Sequence, residues 1–190
     1  NNFLTLLVEP GEKLFLNAKY DSINYPVSVT GSEGTKLMTD YNVNLRSTIN
    51  KLSGLNNIYT QNEGSPQLPS IIESLDSMAQ TYLTEINSYT KNYINKNISS
   101  LVSLVALYQQ VAPNVYVLNP TKDVNYFIRV DSSMFSQYPE YEPVVTLHQQ
   151  VKEFVAGIKG ETAITPVSED GAVAPEISLP TPEGDTIKLS

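Results

Sequence analysis

Apolar residues recur along this chain with two different periods, and the change from one to the other divides it. Residues 1–30 carry the pattern of strands. "NFLTLLVEP" is almost continuously apolar, as in a strand covered on both faces. A turn at Pro10–Glu12 follows. "KLFLNAKY" then alternates, with Leu14, Leu16, Ala18 and Tyr20 on one face and Asn17 and Lys19 on the other. The loop "DSINYP" leads to a third short strand, "VSVT". Three strands are few, and a strand apolar on both faces needs partners that this chain does not supply. The expectation is that residues 1–31 are the last strands of a small β-domain, with the chain cut at its front.

At Gly31 and Ser32 the period changes to 3.6, with Ser32 as the expected N-cap. Leu37, Tyr41, Leu45, Ile49, Leu52, Leu55 and Ile58 predict one long amphipathic helix. "NEGSPQLP" breaks it. Ile72, Leu75, Ala79, Tyr82, Ile86, Tyr89 and Tyr93 predict a second, and the short Gly/Pro loop between the two makes them an antiparallel pair. A third helix, capped by Ser99 or Ser100, uses Leu101, Leu104, Val105, Tyr108 and Val111 and stops at Pro113. "NPTKD" predicts a fourth start, with Asn119 as cap, Pro120 at the first helical position and Asp123 in the first turn. That helix buries Val124, Phe127, Ile128 and Met134 and stops near Tyr138–Pro139. A fifth begins near Glu142–Pro143, uses Val144, Leu147, Val151, Phe154 and Val155, and is ended by Gly157 and Gly160. Residues 32–158 are thus a helical module of about five helices.

Residues 159–172 change in composition to Gly, Pro, Thr, Ser and acid, which predicts an extended linker. The last stretch, residues 173–190, reads as strand "EISLP", turn "TPEGD" and strand "TIKLS", a hairpin. Charge divides along the same line. From Glu161 onward there are six acids (Glu161, Glu169, Asp170, Glu176, Glu183, Asp185) against Lys188, so this stretch carries −5 of a net charge of −8. Arginine occurs only at Arg46 and Arg129, which excludes a basic nucleic-acid footprint. No apolar run is long enough to span a membrane.

Candidate chemistry is sparse. With no cysteine there is no disulfide, no thiol chemistry and no zinc–thiolate site. His148 is the sole histidine, placed on the fifth helix beside Leu147 and Val151, and reads as a surface or interface residue. Glu73 and Asp76 on the second helix, and Glu140 and Glu142 before the fifth, read as solvated faces and helix-dipole partners. "GSEG" at Gly31–Gly34 has neither dinucleotide nor P-loop spacing. The tyrosines at core spacing (Tyr41, Tyr82, Tyr89, Tyr93, Tyr108) predict a helix interface, with a ligand groove as the rival reading. No catalytic, cofactor-binding or metal-binding residue is assigned, and no cofactor is expected.

The chain end carries a resemblance. "VAPEISLPTPEGDTIKLS" is similar to the entrance of the thioredoxin-like domain in the TlpA/ResA and alkyl-hydroperoxide-reductase/TSA group. Ala174, Pro175, Ile177, Leu179, Gly184, Ile187, Leu189 and Ser190 match that entrance. In the group it leads to a Trp-Cys-x-x-Cys that this chain does not contain. "LLVEPGEKLFLNAKYDSINYPVSVTGSEG" resembles the last strands of a β-domain that precedes such thioredoxin domains in envelope proteins of Bacteroidetes. "GSEGTKLMTDYN", "SLVSLVALYQ" and "LNPTKDVNYF" resemble the helical region between the two domains. The tripeptides Asp21-Ser22-Ile23, Asp76-Ser77-Met78 and Asp185-Thr186-Ile187 resemble the O-glycosylation pattern of secreted proteins of that phylum.

The resemblance implies a mainly α fold with small β parts: a helical module flanked by the end of a β-sandwich and the first β-hairpin of a thioredoxin-like domain. It implies a non-catalytic accessory region, for positioning, partner docking or dimerisation, of a cell-envelope or periplasmic thiol–disulfide oxidoreductase. A peroxidase parent is less favoured, and the missing N-terminus is a place for a lipid anchor. The implied partners are the thioredoxin-like domain, a client protein or a second copy, and neither nucleic acid nor a transmembrane segment. The alternative is a stand-alone helical binding module for a peptide or small apolar ligand.

Overall fold

A computed structural model describes residues 4–9, 11–23, 26–162, 177–180 and 186–189. The protein is mainly α-helical with small β parts. It divides into two compact units between Val155 and Ala156.

The first unit opens differently from the strand expected at its front. Residues 4–9 form no strand. Leu7 instead uses its backbone on a helix end: its N–H donates to Thr35 Oγ1 at 3.0 Å, and its carbonyl accepts from the same hydroxyl at 3.0 Å and from Ser32 Oγ at 2.5 Å. A hydroxyl can donate and accept at once, so Thr35 satisfies both backbone groups of Leu7. The apolar run is thus a strap on a helix, and the pattern alone cannot separate that from a sheet strand. The next two strands are shorter than the alternation suggests. β1 (Phe15–Asn17) pairs antiparallel with β2 (Ser28–Thr30), with Leu16 opposite Val29. Tyr20–Ser22 closes a 3-10 turn that cuts the alternating segment short.

Gly31 then turns the chain at φ 85°, where a Cβ would stand 1.9 Å from the Lys13 carbonyl oxygen. Only glycine fits there. α1 (Glu33–Gln61) follows with Ser32 as N-cap, its Oγ accepting from Thr35 N–H, and Glu33 in the first turn. A reversal containing Gly64 at φ 83° leads into α2 (Leu68–Lys96), which has Pro69 in its first turn and Lys96 in its last. α1 and α2 form the expected antiparallel hairpin.

α3 is shorter than its periodicity implies. It spans Leu101–Leu107, capped by Ser100. Val111 belongs to a small hairpin, β3 (Gln110–Ala112) with β4 (Val115–Tyr116), turning through Asn114 at φ 62°. Pro113 disfavours helical geometry at the residue before it, and Val111, though in period with Leu104 and Tyr108, lies in a strand. α4 starts at Val124 and ends at Gln137, with Tyr138 as C-cap. Asn119 does cap a turn, its Oδ1 accepting from the N–H groups of Thr121 and Lys122 at 2.9 and 3.0 Å. That turn precedes the helix, so Pro120 is not its first position. α5 (Glu142–Thr162) begins as expected and runs through both Gly157 and Gly160. A glycine costs a helix only about 1 kcal/mol relative to alanine, too little to stop one this long.

The core of this unit joins the N-terminal half of α1 and the C-terminal half of α2 to α3, α4 and α5. Tyr41, Ile94, Val102, Leu107, Leu118, Phe127, Val130, Met134, Val144 and Leu147 are all nearly or fully buried there. Phe127 meets Tyr108 and Phe154 edge-on, at 5.9 and 6.0 Å between ring centres.

In the second unit β5 (Ile177–Pro180) pairs antiparallel with β6 (Thr186–Leu189), Leu179 standing opposite Ile187. The two strands read from the sequence are thus present and paired. The linker residues 163–172 and the turn residues 181–185 lie outside the described residues.

Candidate docking groove

The α1–α2 hairpin has two unlike ends. Its base is closed over by α3, β3 and α4. Along α1 the buried positions are Thr35, Met38, Tyr41, Leu45 and Thr48, and along α2 they are Ile86, Thr90, Tyr93 and Ile94. Between residues 52 and 84 only Leu55 is buried. Two helices alone can cover one stripe of each other, and the apolar positions beside that stripe stay in water. Here they line a groove of about 300 Å³, walled by Leu52, Leu55, Asn56 and Tyr59 of α1 and Ile72, Leu75, Asp76 and Ala79 of α2. Ile58, Tyr59, Ile72 and Met78 are 42%, 37%, 37% and 40% exposed at this end. Contiguous apolar surface of this kind marks a contact site more often than scattered exposed residues do.

The tyrosines sort by position along the hairpin. Tyr41, Tyr89 and Tyr93 cluster at the base, with ring centres 4.9 to 6.2 Å apart. The Tyr41 hydroxyl shares a hydrogen bond with Thr90 Oγ1 at 2.9 Å, and burial, partly offset by that bond, pushes its pKa up to about 12. Tyr89 accepts from Asn44 Nδ2. The Tyr93 hydroxyl is buried and has no hydrogen-bond partner among the described residues. Burial, with the nearby Tyr89 and Asp40 adding, pushes its pKa up as well. Tyr108 lies apart, donating to Gln150 Oε1 at 2.6 Å. Tyr82 sits under Lys51, whose Nζ is 4.9 Å from the ring centre.

His148 is an interhelical residue. Its Nδ1 lies 3.0 Å from both carboxylate oxygens of Asp131 on α4. Its ring stacks on Phe135 at 3.8 Å and 15°. The Asp131 side chain is 8% exposed, and an ionisable group this deep needs a partner. Its carboxylate also adds to burial in pushing Tyr108 up to about 12. That Asp131 needs a partner is legible in the sequence, since it falls inside the apolar stripe of Phe127, Val130 and Met134; which partner it takes is not. The pair joins α4 to α5. None of the hydrogen bonds on the His148 ring among the described residues involves a hydroxyl nucleophile.

A second, partly buried network fixes the turn before α4. Lys91 Nζ stands 2.6 Å from Asp123 Oδ1, while Asp123 Oδ2 accepts from Asn119 N–H at 2.8 Å and from Asn87 at 3.3 Å. Asn87 also donates to the Val117 carbonyl at 2.9 Å. Burial would raise the Asp123 carboxyl, but Lys91, the Asn119 amide and Asn87 outweigh it and hold the carboxyl below its usual range.

Of the other positions singled out in the sequence, Glu73 and Asp76 are exposed on α2, and Asp76 lines the groove. Glu140 and Glu142 are exposed, with Glu142 in the first turn of α5. Ser22 closes the 3-10 turn and Ser77 is exposed on α2. Thr186 begins β6, and Asp185 lies outside the described residues. Among the described residues no three His, Asp or Glu side chains gather in a way that could hold a metal ion. No helix of the described residues is long and apolar enough to cross a membrane. The chain has no cysteine and so performs no thiol–disulfide chemistry of its own. No family model, curated protein or solved structure matches the chain.

Proposed function

We propose that the chain is a non-catalytic docking module that receives an apolar helical segment at the free end of α1–α2. The open groove between Leu52–Tyr59 and Ile72–Ala79 carries this reading. Its walls are two helices held in fixed register by a packed base, which suits a groove that accepts a helix. Chemical-shift mapping with a synthetic amphipathic helix of uncharged polar face tests it. Shifts gathered in residues 52–59 and 72–79 are the expected result. Shifts elsewhere, or none at millimolar peptide, would remove the docking function.

A second reading places this module in a larger protein, as the accessory region of a cell-envelope thioredoxin-like oxidoreductase. Two observations favour it. β5 pairs with β6 where the resemblance puts an opening strand–turn–strand. Phe15 of β1 and Val27, just before β2, are 67% and 65% exposed, as an edge with further partners would leave them. The coding sequence after Ser190 decides: a Trp-Cys-x-x-Cys within a few dozen codons supports this context, and a stop codon leaves the module free-standing.

A further inference from the structure

We infer that the occupant of the groove is a basic amphipathic helix, with apolar residues at i, i+3, i+4 and i+7 and Lys or Arg beside them. This rests on the docking reading and adds the chemistry of the partner. The α1 wall runs from Leu52 to Tyr59, two turns and about 10 Å, so an occupant of about three turns fills it. Its floor is aliphatic, which calls for an apolar stripe.

Charge settles what flanks that stripe. From Leu52 to Thr84 the chain carries Glu63, Glu73 and Asp76 and not one Lys or Arg. Asp76 is itself part of the groove wall, and Glu73 stands one turn before it, exposed. Neither has an ion-pair partner among the described residues. The closest cation in sequence, Lys51, is already committed to Glu85 at 3.5 Å and to the Tyr82 ring. Covering Asp76 with an uncharged or acidic helix strips water from a carboxylate without compensation. A lysine or arginine at the rim supplies the missing counter-charge and steers the encounter. A second copy of this chain brings the same three acids to the same place, on a molecule of net charge −8. Like charges facing each other make it the poorer occupant.

The probes are two synthetic three-turn helices with one leucine stripe, one flanked by lysines and one by glutamates. Titrations on the whole chain are read by calorimetry and by shifts at residues 52–59 and 72–79. The lysine helix is expected to bind at least about tenfold tighter. That margin shrinks in high salt and in a Glu73→Gln, Asp76→Asn variant, whose melting temperature stays near that of the parent. Equal binding of both helices overturns the charge inference and leaves the docking reading standing. Failure of both, and of the uncharged helix, overturns the docking reading itself. Concentration-dependent dimerisation shifting the same residues makes the occupant a second copy and likewise overturns the inference.

Discussion

The two ends of the α1–α2 hairpin are built from the same residue types at the same spacing, yet one is core and the other is surface. Met38, Tyr41 and Leu45 continue in period with Leu52, Leu55 and Ile58. The first three are almost wholly buried, whereas Ile58 is 42% exposed. What differs is the third layer. α3, β3 and α4 pack on the base, whereas at the tip, between residues 52 and 84, only Leu55 is buried. Amphipathicity records that a helix has an apolar side; the number of neighbours decides how much of that side is dry.

The most forceful way to break this contrast is a matched pair of truncations. Ile94→Ala, at a fully buried base position, is expected to cost about 2–5 kcal/mol. Ile72→Ala, at the groove, is expected to cost under about 0.5 kcal/mol. Urea unfolding of both variants measures the difference, and equal losses would show that the tip is as well packed as the base.

The next largest effect concerns the Lys91–Asp123 network that holds the α4 turn to the base. Asp123→Ala leaves Lys91 without its carboxylate and with only the Tyr126 ring, 5.6 Å away, and because that side chain is still 29% exposed the loss is expected to be about 2–3 kcal/mol. The pH dependence has a definite sign. The folded carboxyl is held below its usual value, so the folded state binds fewer protons and the stabilisation is present above about pH 4. It is lost as pH falls through the folded value. Acid unfolding should therefore be shallower in Asp123→Asn than in the parent below about pH 4.

Smaller effects separate the tyrosines of the base from one another. Tyr41→Phe deprives buried Thr90 of its partner and is expected to cost about 1–2 kcal/mol. Tyr93→Phe removes a buried hydroxyl without a hydrogen-bond partner among the described residues and is expected to be neutral or slightly stabilising. Thermal melts of the two variants should move in different directions or by clearly different amounts. In alkali, the Tyr41 and Tyr108 contributions are intact below pH 10 and lost as pH rises through about 12. Tyrosinate absorbance from these two rings should rise together with unfolding.

The helices were legible because Leu37 to Ile58 and Ile72 to Tyr93 keep their period over many turns and meet turn residues at both ends. The caps at Ser32 and Ser100 were equally readable, since their side chains act within their own first turn. What escaped was set by distant partners. The strap at Leu4–Glu9 looks like a strand until Thr35 takes up the Leu7 backbone. The β3–β4 hairpin hides behind a chance period. His148 lies on the helix its sequence neighbours predict, but Asp131 is seventeen residues away in sequence, beyond any local pattern. Asp76 read as a solvated acid, and only the closeness of the two helices puts it in a groove wall.

The corner between β2 and α1 leaves a trace that could outlast overall sequence similarity. Gly31 is demanded by its backbone angle and by the Lys13 carbonyl, and Gly34 is favoured by Leu7, whose carbonyl oxygen a Cβ would crowd at 3.0 Å. Ser32 and Thr35 are demanded by the hydrogen bonds each makes to Leu7. Together they spell Gly-Ser-x-Gly-Thr, set a fixed distance after an apolar run and just ahead of a long helix. Each letter answers to a different physical constraint, so the word should drift far more slowly than the text around it. It is a string by which distant kin of this chain could be found.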